Sequence, residues 1–220
     1  MLCNFAAVVF DMDGVLLDSS SIHNAAFLEV LRPLGVVEFD YSEQAGRKTF
    51  DVFQQLNGKY DWQLSNLQIA ELAKAKSAAA LKAMRESNPI FPGAHDLVQM
   101  LSSHLPLALA SSGSRSSVES FLEINKLRNC FQSVLSSDDV AKSKPHPEIY
   151  SKSCEALQLP PNRCVVIEDA VAGVISAKQA GTTVFGLSTS AAGRSALLAA
   201  GADFCVSNLA EIPASLGITT

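Results

Sequence analysis

Six short apolar runs punctuate this chain with little polar alternation inside them, and that lack of alternation limits the fold more than any other feature. They are FAAVVF (5–10), LPLALAS (105–111), FQSVLS (131–136), CVVIED (164–169), TTVFGL (182–187) and ADFCVS (202–207). A strand with one wet face alternates, whereas a strand covered on both faces does not. Amphipathic stretches such as GAHDLVQMLSSH, SSVESFLEINKL, PEIYSKSCEALQL and AVAGVISAKQAG lie between the runs. This alternation predicts an α/β fold with a doubly wound parallel sheet. With 220 residues, 48% of them apolar, the chain is long enough for one sizeable core and a smaller second unit.

One interval breaks the rhythm. From about residue 19 to 84 there is no buried strand pattern, and HNAAFLEVLRPLG, TFDVFQQLNG and LSNLQIAELAKAKSAAALKAMRE all read as helix. SNPIFPG (87–93) then supplies two prolines and a glycine, a return hinge. The expected division is a core of 1–18 and 88–220, with an α-helical cap domain at 19–87 inserted after the first strand.

Open parallel sheets bind ligands beyond the carboxyl ends of their strands. The first run ends in Asp11, Met12, Asp13 and the second in Ser111, Ser112, Gly113; the third is followed by KSKPHP with Lys144, and the fourth ends in Glu168, Asp169. In strand-like geometry Asp11 and Asp13 point to one side and Met12 to the other. Carboxylates this close repel one another unless a cation joins them, and oxygen donors of this kind suit Mg²⁺. Ser111 and Ser112 at a helix start would hold phosphate oxygens, and Lys144 would add a point charge. A carboxylate nucleophile at Asp11 with a proton-transferring Asp13 then makes chemical sense.

Competing readings are weaker. A Ca²⁺-binding loop starting at Asp11 fails at Val15, Leu16 and Ile22, and neither GxxxxGK[ST] nor GxSxG occurs. The net charge of −5 and the lack of a basic run exclude nucleic acid as the expected partner. The apolar run at 5–10 is cut short by Asp11, which argues against a signal peptide or membrane span. Cys3, Cys130, Cys154, Cys164 and Cys205 are odd in number, scattered and without CxxC, which fits a cytoplasmic protein. Monomer is the default state.

Four motifs in order, FDMDGVLLDS, LALASS, SKPHPEIY and VVIEDAVAGVISAKQAG, resemble those of the haloacid dehalogenase superfamily, on its phosphatase and phosphomutase side. The likeness is greatest to the β-phosphoglucomutase-like and sugar-phosphate phosphatase branch with a helical cap. It implies that Asp11 is the nucleophile and Asp13 the acid/base. It also implies Mg²⁺ held by the Asp11 carboxylate, the Asp13 carbonyl and Asp169 with Glu168 in support, and phosphate contacts from Ser111 and Lys144. His23 falls where the branch carries a hinge histidine, and Lys76 on a lysine that touches substrate in the mutase. The mutase's cap arginine aligns with Thr49 in AGRKTFD, leaving Arg47 and Lys48 nearby, and Arg115 stands near the place of a further mutase lysine. The expected activity is a Mg²⁺-dependent phosphatase of small phosphorylated metabolites, sugar phosphates favoured. A hexose phosphate mutase and a catalytically quiet binding protein are the alternatives.

Overall fold

The computed structural model describes residues 5–218 of the chain. Six strands form one sheet, each inside an expected run: β1 (Ala7–Phe10), β2 (Leu107–Ala110), β3 (Ser133–Leu135), β4 (Cys164–Glu168), β5 (Thr183–Leu187) and β6 (Phe204–Val206). The strands are shorter than the runs. At β2 the reason is Pro106, which has no N–H to give and contributes only its carbonyl, to Val8 N at 3.2 Å. The order is β3-β2-β1-β4-β5-β6, and every neighbouring pair is parallel.

β1 is central, and Val9 pairs with Ala108 on one side and Val166 on the other. All four of its residues are fully buried. Val8 and Phe10 face the layer of α4 (Ala94–Ser102) and α5 (Arg115–Ile124), packing with Val98, Leu101, Val118 and Phe121. Ala7 and Val9 face α6 (Glu148–Ala156) and α7 (Val171–Gln179), packing with Ile149, Val174 and Ala177. Two covered faces explain the missing alternation. The chain winds outward from β1 to β3 in one direction and from β4 to β6 in the other. The loops after β1 and β4 therefore part, and a crevice opens between them.

Within 19–87 lie α1 (Ser20–Leu31), α2 (Thr49–Tyr60) and α3 (Asn66–Ser87). They share an apolar cluster of their own around Phe27, Leu31, Val52, Phe53, Leu56 and Ile69. The 22-residue α3 opens on a capping box between Ser65 and Gln68 and stops at Asn88, whose left-handed backbone (φ 39°) turns the chain back. The Asn88 and Asn125 side chains exchange two amide hydrogen bonds of 3.0 Å. The incoming and outgoing connections of this helical insert lie side by side: Leu17 bridges Ile90, Asp18 N donates to Pro89 O at 2.7 Å, and Phe91 N to Leu16 O at 2.9 Å.

No helix among the described residues is long and apolar enough to cross a membrane. Cys130, Cys154, Cys164 and Cys205 are free thiols, and Cys3 lies outside the described residues.

Candidate active site

The end of β1 continues its ladder for one more bond, Asp11 N to Ile167 O at 3.1 Å, before the chain turns. Leu16 N and Leu17 N both return to Met12 O, at 2.9 and 3.0 Å, and Gly14 takes a left-handed φ of 85°. Met12 is fully buried in the core below, while Asp11 and Asp13 line one cavity above, as the strand geometry predicts. A side chain at Gly14 would lie 1.9 Å from Asp169 Oδ2, so the carboxylate of Asp169 occupies the space that this glycine leaves. Gly173 on α7 does the same for Glu168, whose Oε1 would sit 1.7 Å from a Cβ there.

Lys144 is buried at the centre of these acids. Its Nζ lies 2.6 Å from Asp11 Oδ1 and 2.8 Å from Glu168 Oε1. Glu168 is held on all sides, because Tyr150 Oη donates to Oε1 at 2.7 Å, and the Asp169 and Ala170 N–H groups to Oε2 at 3.0 Å each. Mutual attraction keeps the Lys144 ammonium charged, against the cost of its burial. No hydrogen bond among the described residues reaches Asp11 Oδ2.

Carboxylate oxygens of Asp11, Glu168 and Asp169 come within 4.8 Å of one another. One ammonium does not balance three clustered carboxylates, of which Asp11 and Glu168 are buried and Asp169 half-buried. Burial pushes Asp11 up to about 8 against the pull of Lys144, with Glu168 and Asp13 adding to the rise. Burial, Glu168 and Asp11 push Asp169 well above the usual carboxylate range. Oxygen donors cradled against two glycines and in surplus of negative charge fit a hard divalent cation such as Mg²⁺.

Asp13 has a different environment. Its Oδ1 accepts from Ser19 Oγ at 2.6 Å and lies 2.9 Å from His23 Nε2. On the other side of the ring, His23 Nδ1 is 2.8 Å from Lys76 Nζ, which sits 4.5 Å above the Phe27 ring centre. His23 thus links the Asp13 carboxyl on one side to the Lys76 amine on the other. Burial pulls Lys76 down to about 8, with the charge of Asp13 opposing. Burial works to raise Asp13, but His23, Ser19 and Lys76 outweigh it and hold the carboxyl at about 2. Two aspartates two residues apart thus have opposite proton affinities.

The remaining expected residues are near but differently engaged. Ser111 Oγ accepts from Gly113 N at 2.9 Å and lies 3.5 Å from Asp13 Oδ2. Ser112 lines the cavity, yet its hydroxyl donates to the Gly46 carbonyl of the insert at 2.7 Å. Arg47 reaches the cavity wall, with its guanidinium bound to Gln44 Oε1 at 3.0 Å and to Gln55. Arg115 is drawn away to Asp139 and Glu119. The cavity itself is about 30 Å³, room for little more than a water molecule. The insert supplies His23, Phe27, Tyr41 and Lys76 to its wall.

Three site residues escape sequence reasoning. The serines after Asp18 read as helix caps, but Ser19 makes no capping bond and turns its hydroxyl to Asp13. Tyr150 follows the buried stripe of α6 and reads as core. Tyr41, with its ring centre 5.0 Å from that of His23, lies in a stretch without periodicity. The nearest available signal was the serine run itself, directly after the first acidic pair.

A family model described as haloacid dehalogenase-like hydrolase matches residues 8–187. Hexitol phosphatase B of Escherichia coli K12 is 30% identical over 178 residues, 79% of this chain and 79% of that protein. The crystal structure of CbbY from Rhodobacter sphaeroides in complex with xylulose-(1,5)-bisphosphate superposes with a TM-score of 0.81 at 28% identity, covering 96% of this chain and 99% of the other. β-Phosphoglucomutase from Clostridium difficile shares the fold, with a TM-score of 0.82 at 22% identity and 97% of both chains covered. The chain belongs to the haloacid dehalogenase-like hydrolase family and is an enzyme of that fold.

Proposed function

We propose that this enzyme is a Mg²⁺-dependent phosphatase of small phosphorylated metabolites, sugar phosphates foremost, working in the cytoplasm through an aspartyl-phosphate. The observation that carries the reading is the opposed pair of aspartates. Asp11 is fixed through Oδ1 by Lys144 and leaves Oδ2 free to attack; Asp13 faces the same cavity with a proton-handling chain behind it. Hexitol phosphatase B and the CbbY complex, whose partners are phosphorylated sugars or sugar alcohols by name, support the substrate class.

In the first step Asp11 Oδ2 forms a bond to phosphorus as the bond to the leaving oxygen breaks, and Asp13 gives that oxygen its proton. The incoming phosphoryl group brings negative charge beside Asp13 and favours its protonated form. In the second step Asp13 takes a proton from water, the water oxygen bonds to phosphorus, and the Asp11–phosphorus bond breaks to release phosphate. Lys144 holds the Asp11 carboxylate in place, and Ser111 with the Gly113 turn offers donors to phosphoryl oxygens. Asp11 and Asp169, with Glu168 in support, would hold Mg²⁺, which would supply charge neutralisation at the transferring group. The helical insert at 19–87 acts as the cap that shuts the cavity.

Hydrolysis is favoured over the mutase reaction by the residues around the cavity. Thr49 stands at its wall, Arg47 is engaged by two glutamines and Arg115 by Asp139, so none offers an unengaged guanidinium to a second phosphate. The test is phosphate release from a panel of sugar and polyol phosphates with and without Mg²⁺, beside a coupled assay with β-glucose 1-phosphate and a bisphosphate activator. Metal-dependent phosphate release is expected; isomerisation without release overturns the phosphatase reading, and no turnover by a folded, metal-binding protein overturns the enzymatic one.

A further inference from the structure

The insert also grips the core at a place away from the catalytic cavity. Asp51, in the first turn of α2, accepts the Ser143 hydroxyl on its Oδ2. Lys48, just ahead of that helix, donates from Nζ to Val140 O at 3.1 Å. Both partners belong to the segment that leads directly into Lys144. From the opposite side Glu148, in the first turn of α6, accepts from Ala141 N at 3.0 Å and Lys142 N at 2.9 Å. The loop before Lys144 is thus clamped between a fixed core helix and a helix of the insert. Neither Asp51 nor Ser143 lines the catalytic cavity.

We infer that Asp51 and Ser143 are positioning residues that bring Lys144 against Asp11 only when the insert is seated on the sheet. The inference rests on the proposed role of the insert as a cap and of Lys144 as the holder of the nucleophile. A lysine side chain has many rotamers, and its placement beside Asp11 depends on where the loop sets its Cα. Half of the clamp belongs to the insert, so a displaced insert leaves the loop held from the core side only, by Glu148, by the Val140 side chain in the core and by His146 N on Ser143 O. Seating the insert then completes the active arrangement in the same motion that excludes water. A carboxylate in the first turn of a helix also steadies that helix, and a purely structural Asp51 would do no more. Ser143 separates the two roles, since its hydroxyl contributes nothing to α2 except through Asp51.

The test uses the full chain and the variants Asp51→Ala, Asp51→Asn, Ser143→Ala and the double alanine variant. On the best substrate of the panel, both single alanine variants are expected to lose on the order of tenfold in kcat with KM within twofold, because a misplaced catalytic group costs rate rather than affinity. The double variant should be no slower than either single one, and Asp51→Asn, which keeps an acceptor, should recover most of the rate. Hydrogen exchange of the 140–146 amides gives a reading independent of turnover: it should quicken in both alanine variants while peptides of β1 and β4 stay unchanged. An active wild type whose Ser143→Ala variant keeps both kcat and exchange overturns the inference. A wild type without phosphatase activity refutes the proposed function, and the exchange result alone then decides the clamp.

Discussion

Replacing Lys76 by methionine removes a buried charge and keeps most of the length of the stem. Only 3% of the lysine is exposed, and its ammonium meets an aromatic face and one imidazole nitrogen instead of a carboxylate. Burial, opposed by the charge of Asp13, lowers its proton affinity from 10.5 to about 8. Between those two values the unfolded chain binds a proton that the folded protein does not. Stability must therefore rise with pH across the window from 8 to 10.5, at about 1.4 kcal/mol per unit for this one group. Below pH 8 both states are protonated and the contribution is flat, at a penalty of about 3 kcal/mol relative to high pH. Urea unfolding of the wild type and Lys76→Met in chelator, at pH 7 and pH 9.5, isolates the effect, because other titrating groups cancel in the difference. The wild type should gain about 2 kcal/mol on the variant over that interval. The variant also leaves His23 Nδ1 without its donor, a cost of about 1–3 kcal/mol that is common to both pH values. Parallel pH dependences for the two proteins would refute the reasoning, and a gain by the variant would reverse its sign.

Three further outcomes are expected. Asp11→Asn should reduce phosphate release on the order of 10⁴-fold with an unchanged far-ultraviolet circular dichroism spectrum, and near-normal turnover would end its assignment as nucleophile. Gly173→Ala should destabilise, by about 2 kcal/mol or more in urea unfolding, since the new Cβ falls on the Glu168 carboxylate; helix propensity alone predicts the opposite sign, about 1 kcal/mol of gain. Mg²⁺ at about 100 times its dissociation constant should stabilise the wild type by about 2.7 kcal/mol, read as a rise in Tm that chelator reverses, and Asp169→Asn should lose most of that rise.

The sheet is legible in the sequence because both of its faces are covered. Each residue from Ala7 to Phe10 must be apolar, and the run stops where Asp11 reaches the crevice. The convergence of Asp11, Asp13, Lys144, Glu168 and Asp169 is legible for the same reason, since parallel strands bring their tips to one edge. What the sequence hides is how each side chain is engaged. Ser112 and Arg47 have suitable chemistry for a phosphate site, yet Gly46, Gln44 and Gln55 hold them at its wall, and those partners come from the tertiary packing of the insert. Tyr150 is hidden more deeply: its ring obeys the helix period of α6 as any core residue would, while its hydroxyl meets Glu168 at the tip of β4. Ser19 occupies a helix start, where the local alternative of capping is always available, and only the fold turns it to Asp13.

The bridge between Leu17 and Ile90 carries a consequence for how such enzymes diversify. The two ends of the insert meet at a single point on the sheet edge, so the core sees the insert as one closed loop. The entropy of closing a loop grows only logarithmically with its length, and here the closure is made by core residues themselves. A helical unit of different size or lining can therefore be exchanged at this point without moving a strand or an acid. The acids and Lys144 are set by the sheet and its loops, whereas the walls of the cavity, with His23 and Lys76 behind Asp13, are set by whatever lies between Asp18 and Pro89.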